Sequence, residues 1–222
     1  MKNVLLLDME TSGVDPAKDY VIEVGAVLWS VEHHTTLISY SSLVGNGPND
    51  AEPVNGIPSA ALVGAPSVER VLDDLADLVD RADAIVAHFA EFDRSFLPIG
   101  GRPWICTGED VAWPRSSSSR SLVAIALAHG LGVASAHRAL TDCRLLARLL
   151  ERCHELGYDV NAMLERGLRP KAKFVAMVSY SDREKAKEAG FRWDSEKKLW
   201  VRTMAEEDAV MLPFLVRKVE AA

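Results

Sequence analysis

Asp8 and Glu10 stand two residues apart at the end of the apolar run Val4-Leu5-Leu6-Leu7, so an extended backbone puts both carboxylates on one side. Such a pair can hold a hard divalent cation, which needs several carboxylate oxygens and neutralises charges that otherwise repel. An isolated Asp-x-Glu fits at least as well a strand that simply ends in solvated polar residues. Asp93 is a second candidate. It follows the short buried strand Ile85-Val86 within Ala87-His88-Phe89-Ala90-Glu91-Phe92-Asp93, in the first turns of a helix running through Phe96 and Leu97, where an acid also favours the helix dipole. A third group is His137-Arg138-Ala139-Leu140-Thr141-Asp142, with the histidine in a Gly- and Ala-rich approach to a helix and the aspartate in its opening turns. Taken singly, that histidine is an ordinary surface or capping residue and Asp142 another dipole-favouring acid.

The elements that must position these groups follow from hydrophobic spacing. Val4 to Leu7, Tyr20 to Trp29 and Thr35 to Val44 read as three early strands, which suggests an antiparallel meander. Gly45 to Pro58 carries Gly, Pro, Asn and Asp at close intervals and reads as a loop. Ser67 can cap a helix with Val68, Val71, Leu72, Leu75 and Leu78 on one face, followed by a short strand, Ala84 to Ala87. Ile105 to Thr107 reads as a further strand, Ser121 to His129 as a helix, and Leu140 to Leu156 as a long helix with Leu145, Leu146, Leu149, Leu150 and Cys153 on one face. Strands first, then strands alternating with helices, make an α/β layered domain.

Gly167, Pro170 and a basic cluster mark a boundary, giving domains 1–167 and 168–222. In the second, Lys173 to Tyr180 reads as a strand and Ser181-Asp182-Arg183-Glu184 as a capping box that starts a helix ending at Gly190. Phe191 to Trp193 and Leu199 to Arg202 read as paired strands, with a last helix after Thr203. The expected result is a small α+β module.

At 222 residues the chain has room for one or two domains of roughly 100 to 200 residues each. Hydrophobic residues at 48% and charged residues at 26% exclude a wholly disordered or collagen-like chain. Three cysteines, Cys106, Cys143 and Cys153, form no CxxC pair and suggest a reducing compartment. With no secretory signal at the start and no apolar run of membrane-spanning length, the expected location is cytoplasmic, with no membrane partner. The formal charge of −7, from 25 Lys plus Arg against 32 Asp plus Glu, argues against gripping nucleic acid by bulk attraction.

Together the motifs resemble a known family. Leu5 to Gly13, then Asn55-Gly56-Ile57, then Ala87 to Asp93, then His137 to Asp142 look like the ordered motifs of the DEDDh, or DnaQ-like, 3′-to-5′ exonucleases. Within that family the chain is similar to the proofreading subunit of bacterial DNA polymerase III and to exonuclease X, the latter also through Trp104-Ile105-Cys106-Thr107 and Trp113-Pro114. The resemblance spans about residues 3 to 155 and implies an RNase-H-like mixed sheet flanked by helices.

It also implies roles. Asp8, Glu10 and Asp142 would ligate two magnesium or manganese ions, with Asp93 reaching the cluster directly or through water. His137 would be the general base, since an imidazole's ordinary pKa of about 6.5 suits proton abstraction near neutral pH. Substrate contacts would come from the backbone at Met9, Thr11 and Gly13, from Asn55 and His88, from Ile57 as a wedge beside the terminal bases, and from stacking on Phe96. Asn55, Phe89 and Cys106 stand where many relatives carry His, Asn and Asp. None of these removes a metal ligand, so an altered nucleotide preference is expected rather than loss of activity. The implied reaction is hydrolysis of single-stranded or unpaired 3′ ends of DNA to nucleoside 5′-monophosphates. Two competing readings are an RNA-trimming enzyme of the same fold and a nucleic-acid-binding protein with a subordinate exonuclease domain. No tethering peptide for a polymerase or clamp partner is recognised.

The C-terminal module offers Arg192, Trp193, Lys197, Lys198 and Trp200 as nucleic-acid contacts, though the same aromatics also suit the core of a very small domain. Charge divides accordingly. Residues 1–167 hold 13 basic against 23 acidic residues, while residues 168–222 hold 12 against 9. Cations at the acidic site would reverse the local sign of the potential, leaving any lasting grip to the basic tail.

Overall fold

The computed structural model describes residues 1–45, 47–97, 99–134 and 137–219. Ser135 and Ala136, in the approach to His137, lie outside the described residues. The chain forms two compact units, Met1–Leu168 and Arg169 onward.

The first unit is built on a five-stranded sheet in the order β3-β2-β1-β4-β5. Its strands are β1 (Asn3–Thr11), β2 (Val21–Ser30), β3 (Thr35–Leu43), β4 (Ala84–Ala87) and β5 (Trp104–Cys106). The first three form the expected antiparallel meander, whereas β4 pairs with β1 and with β5 in parallel. Helices α1 (Glu52–Asn55), α2 (Val68–Asp80), α3 (Ala90–Phe96), α4 (Leu122–Ala128), α5 (Ala139–Glu155) and α6 (Val160–Glu165) complete the unit. This is the mixed sheet flanked by helices that the family resemblance implies.

The apolar run at the start of β1 is continuous because both faces of the sheet are covered. Leu5, Leu7 and Met9 point to a core shared with Val71, Leu75 and Leu78 of α2. Val4 and Leu6 point the other way, to Cys143, Leu146, Leu149 and Leu150 of α5. The period of two therefore sends Asp8 and Glu10 toward α5. On β2 the same alternation puts Val27 and Trp29 on the α5 side, and with them Gly25 and Glu23.

Ser67 caps α2 as expected, its side chain accepting from Arg70 N, and Ser121 caps α4 by accepting from Ala124 N. The stretch read as a loop from Gly45 to Pro58 contains one helical turn, α1, closed by Gly56 at φ +66°. A left-handed residue at that point ends the turn after four residues, too short for a spacing signal.

The second unit is a four-stranded antiparallel sheet in the order β7-β8-β6-β9, formed by β6 (Lys171–Ala176), β7 (Arg192–Asp194), β8 (Leu199–Ala205) and β9 (Val216–Lys218). Helices α7 (Arg183–Glu188) and α8 (Glu206–Val210) accompany it. Phe174, Ala186, Phe191, Met204 and Ala209 form its core. The expected capping box does not form. A single 3-10 turn, Tyr180–Asp182, precedes α7, and Asp182 takes the cap position without a side-chain cap bond. The Ser181 hydroxyl is instead 2.8 Å from that of Ser179. The first strand stops at Ala176 rather than Tyr180, and β9, only three residues long, carried no periodic signal.

No helix among the described residues is long and apolar enough to cross a membrane.

Candidate active site

The site is made where β1 meets the N-terminus of α5, and β2 sets the distance between them. Gly25 pairs with Asp8 and Glu23 with Glu10 in the β1–β2 ladder. A Cβ on Gly25 would lie 2.3 Å from both Ala139 C and Leu140 N, so only a glycine lets the helix backbone come this close to the sheet. Cys143 Sγ donates to the Gly25 carbonyl at 3.3 Å, a contact made from inside the same helix.

Glu23 fixes the helix start. It is only 3% exposed, and its carboxylate accepts from Arg138 Nη2 at 2.7 Å, from Arg138 Nε at 3.0 Å and from Ala139 N at 3.1 Å. The bidentate arginine supplies charge and geometry together, and the third bond satisfies one of the helix's otherwise orphan N–H groups. Sequence reasoning passed over Glu23 and Gly25, although a lone acid inside the apolar strand Val21–Ser30 was a signal that it needed a buried partner.

One turn into α5, Asp142 then faces β1. Ligand oxygens of Asp8, Glu10 and Asp142 all lie within 4.8 Å of one another. Asp142 Oδ2 accepts the His137 N–H at 3.1 Å, while its buried Oδ1 has no hydrogen-bond partner among the described residues. His137 itself is exposed and sits in the left-handed region at φ +63°. Asp93, on α3, is 2% exposed and stands outside the three-residue group, yet close enough for its charge to act on Asp8.

Burial and mutual repulsion govern these acids. Burial foremost, then the charges of Asp93, Asp142, Glu10 and Glu23, hold the Asp8 carboxyl well above the usual carboxylate range. Glu10 is pushed up to about 7, by burial and then by Asp142 and Glu23, with Arg138 opposing. Asp93 is likewise raised to about 7, chiefly by burial. Asp142 is raised by burial, with the His137 N–H pulling the other way. Carboxyls so placed are easier to keep protonated in the folded state than in the unfolded one. That stabilisation is full below pH about 4 and is lost as pH rises through about 7. The metal-free chain is therefore expected to melt at a lower temperature at pH 8 than at pH 5. Added magnesium should raise the melting temperature more at pH 8 than at pH 5, which thermal denaturation in chelator and in magnesium will check.

Several of the residues read as substrate contacts hold the end of β1 and the loop after it, and others lie elsewhere in the unit. Thr11 Oγ1 donates to the Gly13 carbonyl at 2.5 Å, and a Cβ on Gly13 would meet the Asp19 carboxylate at 2.3 Å. Asn55 is buried: its Nδ2 donates to the Thr11 carbonyl at 3.3 Å, and its Oδ1 accepts from Asn49 Nδ2 at 2.8 Å and Ile57 N at 3.1 Å. Met9 and Thr11 are buried too. Ile57, expected as a wedge beside bases, is 2% exposed and packs on Ile22 and Leu62. Its side chain anchors this loop from beneath, because the glycine turn at Gly56 directs it inward to an apolar cluster. His88 has both ring nitrogens engaged, Nε2 donating to the Arg120 carbonyl at 2.8 Å and Nδ1 lying 3.0 Å from Thr107 Oγ1. It ties two chain segments together and is held below the usual histidine range by burial. Phe96 is half-buried, with Phe92 beside it at 5.0 Å between ring centroids. Phe89 takes a left-handed φ of +64° at the start of α3 and packs on Gly108, where a Cβ would come within 2.8 Å of its ring. In the second unit Arg192, Trp193, Lys197 and Lys198 are exposed and Trp200 is half-buried.

Comparison with known proteins adds to this geometry. A family model described as "Exonuclease" matches residues 5–98. The chain is 31% identical over 159 residues to the DNA polymerase III subunit epsilon of Aquifex aeolicus, a match covering 65% of this chain and 77% of that protein. The chain belongs to the DEDDh, DnaQ-like 3′-to-5′ exonuclease family.

A PolC-type DNA polymerase III of Thermotoga petrophila is 32% identical over 169 residues, 68% of this chain but 12% of the polymerase's length. The exonuclease-like chain thus spans only a small part of that relative. A solved structure described as exonuclease X in complex with 5′ overhanging duplex DNA is similar with a TM-score of 0.59 and 26% identity, over 74% of this chain and 99% of that one. A domain of unknown function (DUF8626) matches residues 172–219 of the second unit.

Exonucleases of this family use divalent cations. The residues present fit that requirement: three carboxylates converge, a fourth is buried beside them, and a buried oxygen of Asp142 is left without a donor. With no lysine or arginine bonded to Asp8 or Asp142 among the described residues, a cation is the partner that this donor set lacks.

Proposed function

We propose that this chain hydrolyses the terminal phosphodiester at the 3′ end of DNA and releases nucleoside 5′-monophosphates, with single-stranded or unpaired ends preferred. The observation that carries the reading is the convergence of Asp8, Glu10 and Asp142, with His137 tied by its backbone to the last of them. Asp8, Glu10 and Asp142, assisted by Asp93, would hold two magnesium or manganese ions. When bound, such ions supply Lewis acidity at the phosphoryl oxygens and favour deprotonation of water near neutral pH.

The chain's own groups do the rest. The Glu23–Arg138 pair holds the start of α5, which keeps Asp142 facing β1. The exposed imidazole of His137 takes the proton from the attacking water and passes it to solvent. The oxygen of that water bonds to phosphorus as the bond to the leaving 3′ oxygen breaks; that oxygen takes a proton from solvent to become the new 3′-hydroxyl, and the phosphate departs with the released nucleotide. One nucleotide is removed per event because the acids and the base must all surround a single phosphate. An unpaired end satisfies that requirement without first melting a duplex.

The 222-residue chain incubated with 5′-labelled single-stranded DNA should produce a ladder shortened from the 3′ end in magnesium or manganese, and none in chelator. A blunt duplex of the same sequence should be trimmed more slowly. No shortening of any strand in either metal would defeat the catalytic reading, and faster trimming of a matched RNA would reassign the substrate. Replacing His137 with Ala should lower turnover by about 10² to 10⁴-fold while calorimetric magnesium binding is retained. Unchanged turnover would remove His137 from the reaction.

A further inference from the structure

The second unit carries an aromatic surface that its core does not use. Phe191 fills the interior at 2% exposure, edge-on to Phe214 with 5.7 Å between ring centroids. Trp193 lies on the edge strand β7 and is 51% exposed. It stands directly opposite Trp200 in the β7–β8 ladder, the two rings 5.5 Å apart and tilted by 59°. Trp200 packs in turn against the core. An indole anchored from below by a second indole is held in place while one side stays open to solvent.

The hairpin turn adds charge at the end of this pair. Asp194 Oδ1 accepts from Glu196 N at 3.1 Å and from Lys197 N at 2.9 Å, which fixes the turn, and Lys198 follows in the left-handed region at φ +52°. Lys197 and Lys198 are both exposed, and neither makes an ion pair among the described residues. The whole segment 168–222 is basic, with 12 Lys plus Arg against 9 Asp plus Glu, in a chain of net charge −7. A flat aromatic platform next to ammonium groups on a fixed turn complements a base and the phosphates on either side of it.

We propose that the β7–β8 hairpin is a binding surface for a single nucleic-acid strand, in which Trp193 stacks on a base and Lys197 and Lys198 meet flanking phosphates. Stacking of this kind is tolerant of sequence, because every base offers a π face. A duplex keeps its bases stacked on each other and offers only its phosphates. The surface is independent of the exonuclease reading, since it uses none of that site's residues.

The test uses the full chain in chelator, so that no strand is cut and the result stands whether or not the first unit is catalytic. Titration into a labelled oligothymidylate of about 20 nucleotides, at several salt concentrations, should show binding that weakens with salt and quenches tryptophan fluorescence. Trp193→Ala should weaken binding about tenfold, and Trp193→Phe should restore most of it. The double variant Lys197→Ala, Lys198→Ala removes no buried contact. It should reduce the slope of log affinity against log salt by about 1.4, two phosphate contacts at about 0.7 each. Unchanged affinity in Trp193→Ala, or an unchanged salt slope in the lysine variant, would overturn the proposal. So would self-association that Trp193→Ala abolishes while strand binding stays the same.

Discussion

Asp8→Asn is expected to abolish exonuclease turnover, by about a thousandfold or more, while making the metal-free chain more resistant to heat at pH 8. Both effects have one cause. Asp8 is buried, and its carboxyl is raised well above the usual range first by that burial and then by repulsion from Asp93, Asp142, Glu10 and Glu23. A neutral amide of nearly the same shape removes that repulsion. On the proposed reading it also removes a ligand from a site whose cations would stabilise charge by several kcal/mol, and each 1.36 kcal/mol is tenfold in rate. The gain in heat resistance should vanish at pH 4, where the native carboxyl is protonated as well, and should reverse in magnesium, where the wild-type charge has its partner. Single-turnover cleavage of labelled DNA and melting curves in chelator at the two pH values read these outcomes. A variant retaining a tenth of wild-type turnover would show that Asp8 is not a ligand.

Gly25→Ala should be the most damaging single-methyl change in the first unit. The added carbon would sit 2.3 Å from Ala139 C and Leu140 N and 2.7 Å from Ala139 O, all of them backbone atoms of the helix start that cannot swing aside. The helix must move away from the sheet by about 1 Å to reach ordinary contact. Overpacking of this sort costs about 1–3 kcal/mol, and in a chain of this size each kcal/mol lowers the melting temperature by roughly 2–4 °C. The same displacement carries Asp142 away from Asp8 and Glu10 and strains the Glu23 bonds to Arg138 and Ala139. A misplacement of about 1 Å in a reacting constellation can cost about 10²-fold in rate. Gly132→Ala, where an added carbon meets nothing within 4 Å, is the matched control and should leave both quantities unchanged. Equal melting temperatures for the two variants would show that the close approach at Gly25 does not set the site.

Much of this is legible in the sequence alone. The start of β1, the course of β2, the cap at Ser67 and the helix carrying Asp142 follow from spacing and capping, which are properties of neighbouring residues. Four short motifs in order were enough to reach the family. The acids stand out as candidates in the sequence, but it leaves each with an ordinary alternative, because a carboxylate at a strand end or a helix start has a sufficient local reason to be there. What the structure adds is the convergence of Asp8, Glu10 and Asp142 within 4.8 Å.

Other features were out of reach for a different reason. Ile57 looks like any exposed loop residue until the turn at Gly56 is seen to send it into the cluster with Ile22 and Leu62. His88 looks like a free polar group until Arg120 and Thr107, 32 and 19 residues further on, are found on its two nitrogens. The Glu23 bonds to Arg138 and Ala139 close separations of 115 and 116 residues. Periodicity and turn chemistry cannot report contacts of that range, because they record only what a residue does to its immediate neighbours.

The sequence by itself therefore determined the inventory: which strands and helices form, which acids and which histidine are available, and which family the chain resembles. Only the tertiary structure decided how that inventory is used. The parity of β1 turns Asp8 and Glu10 toward α5, the missing side chain of Gly25 brings α5 down onto the sheet, and buried Glu23 holds its first turn in place. Charges that repel in isolation become a cation site only when packing forces them together and leaves them no other partner.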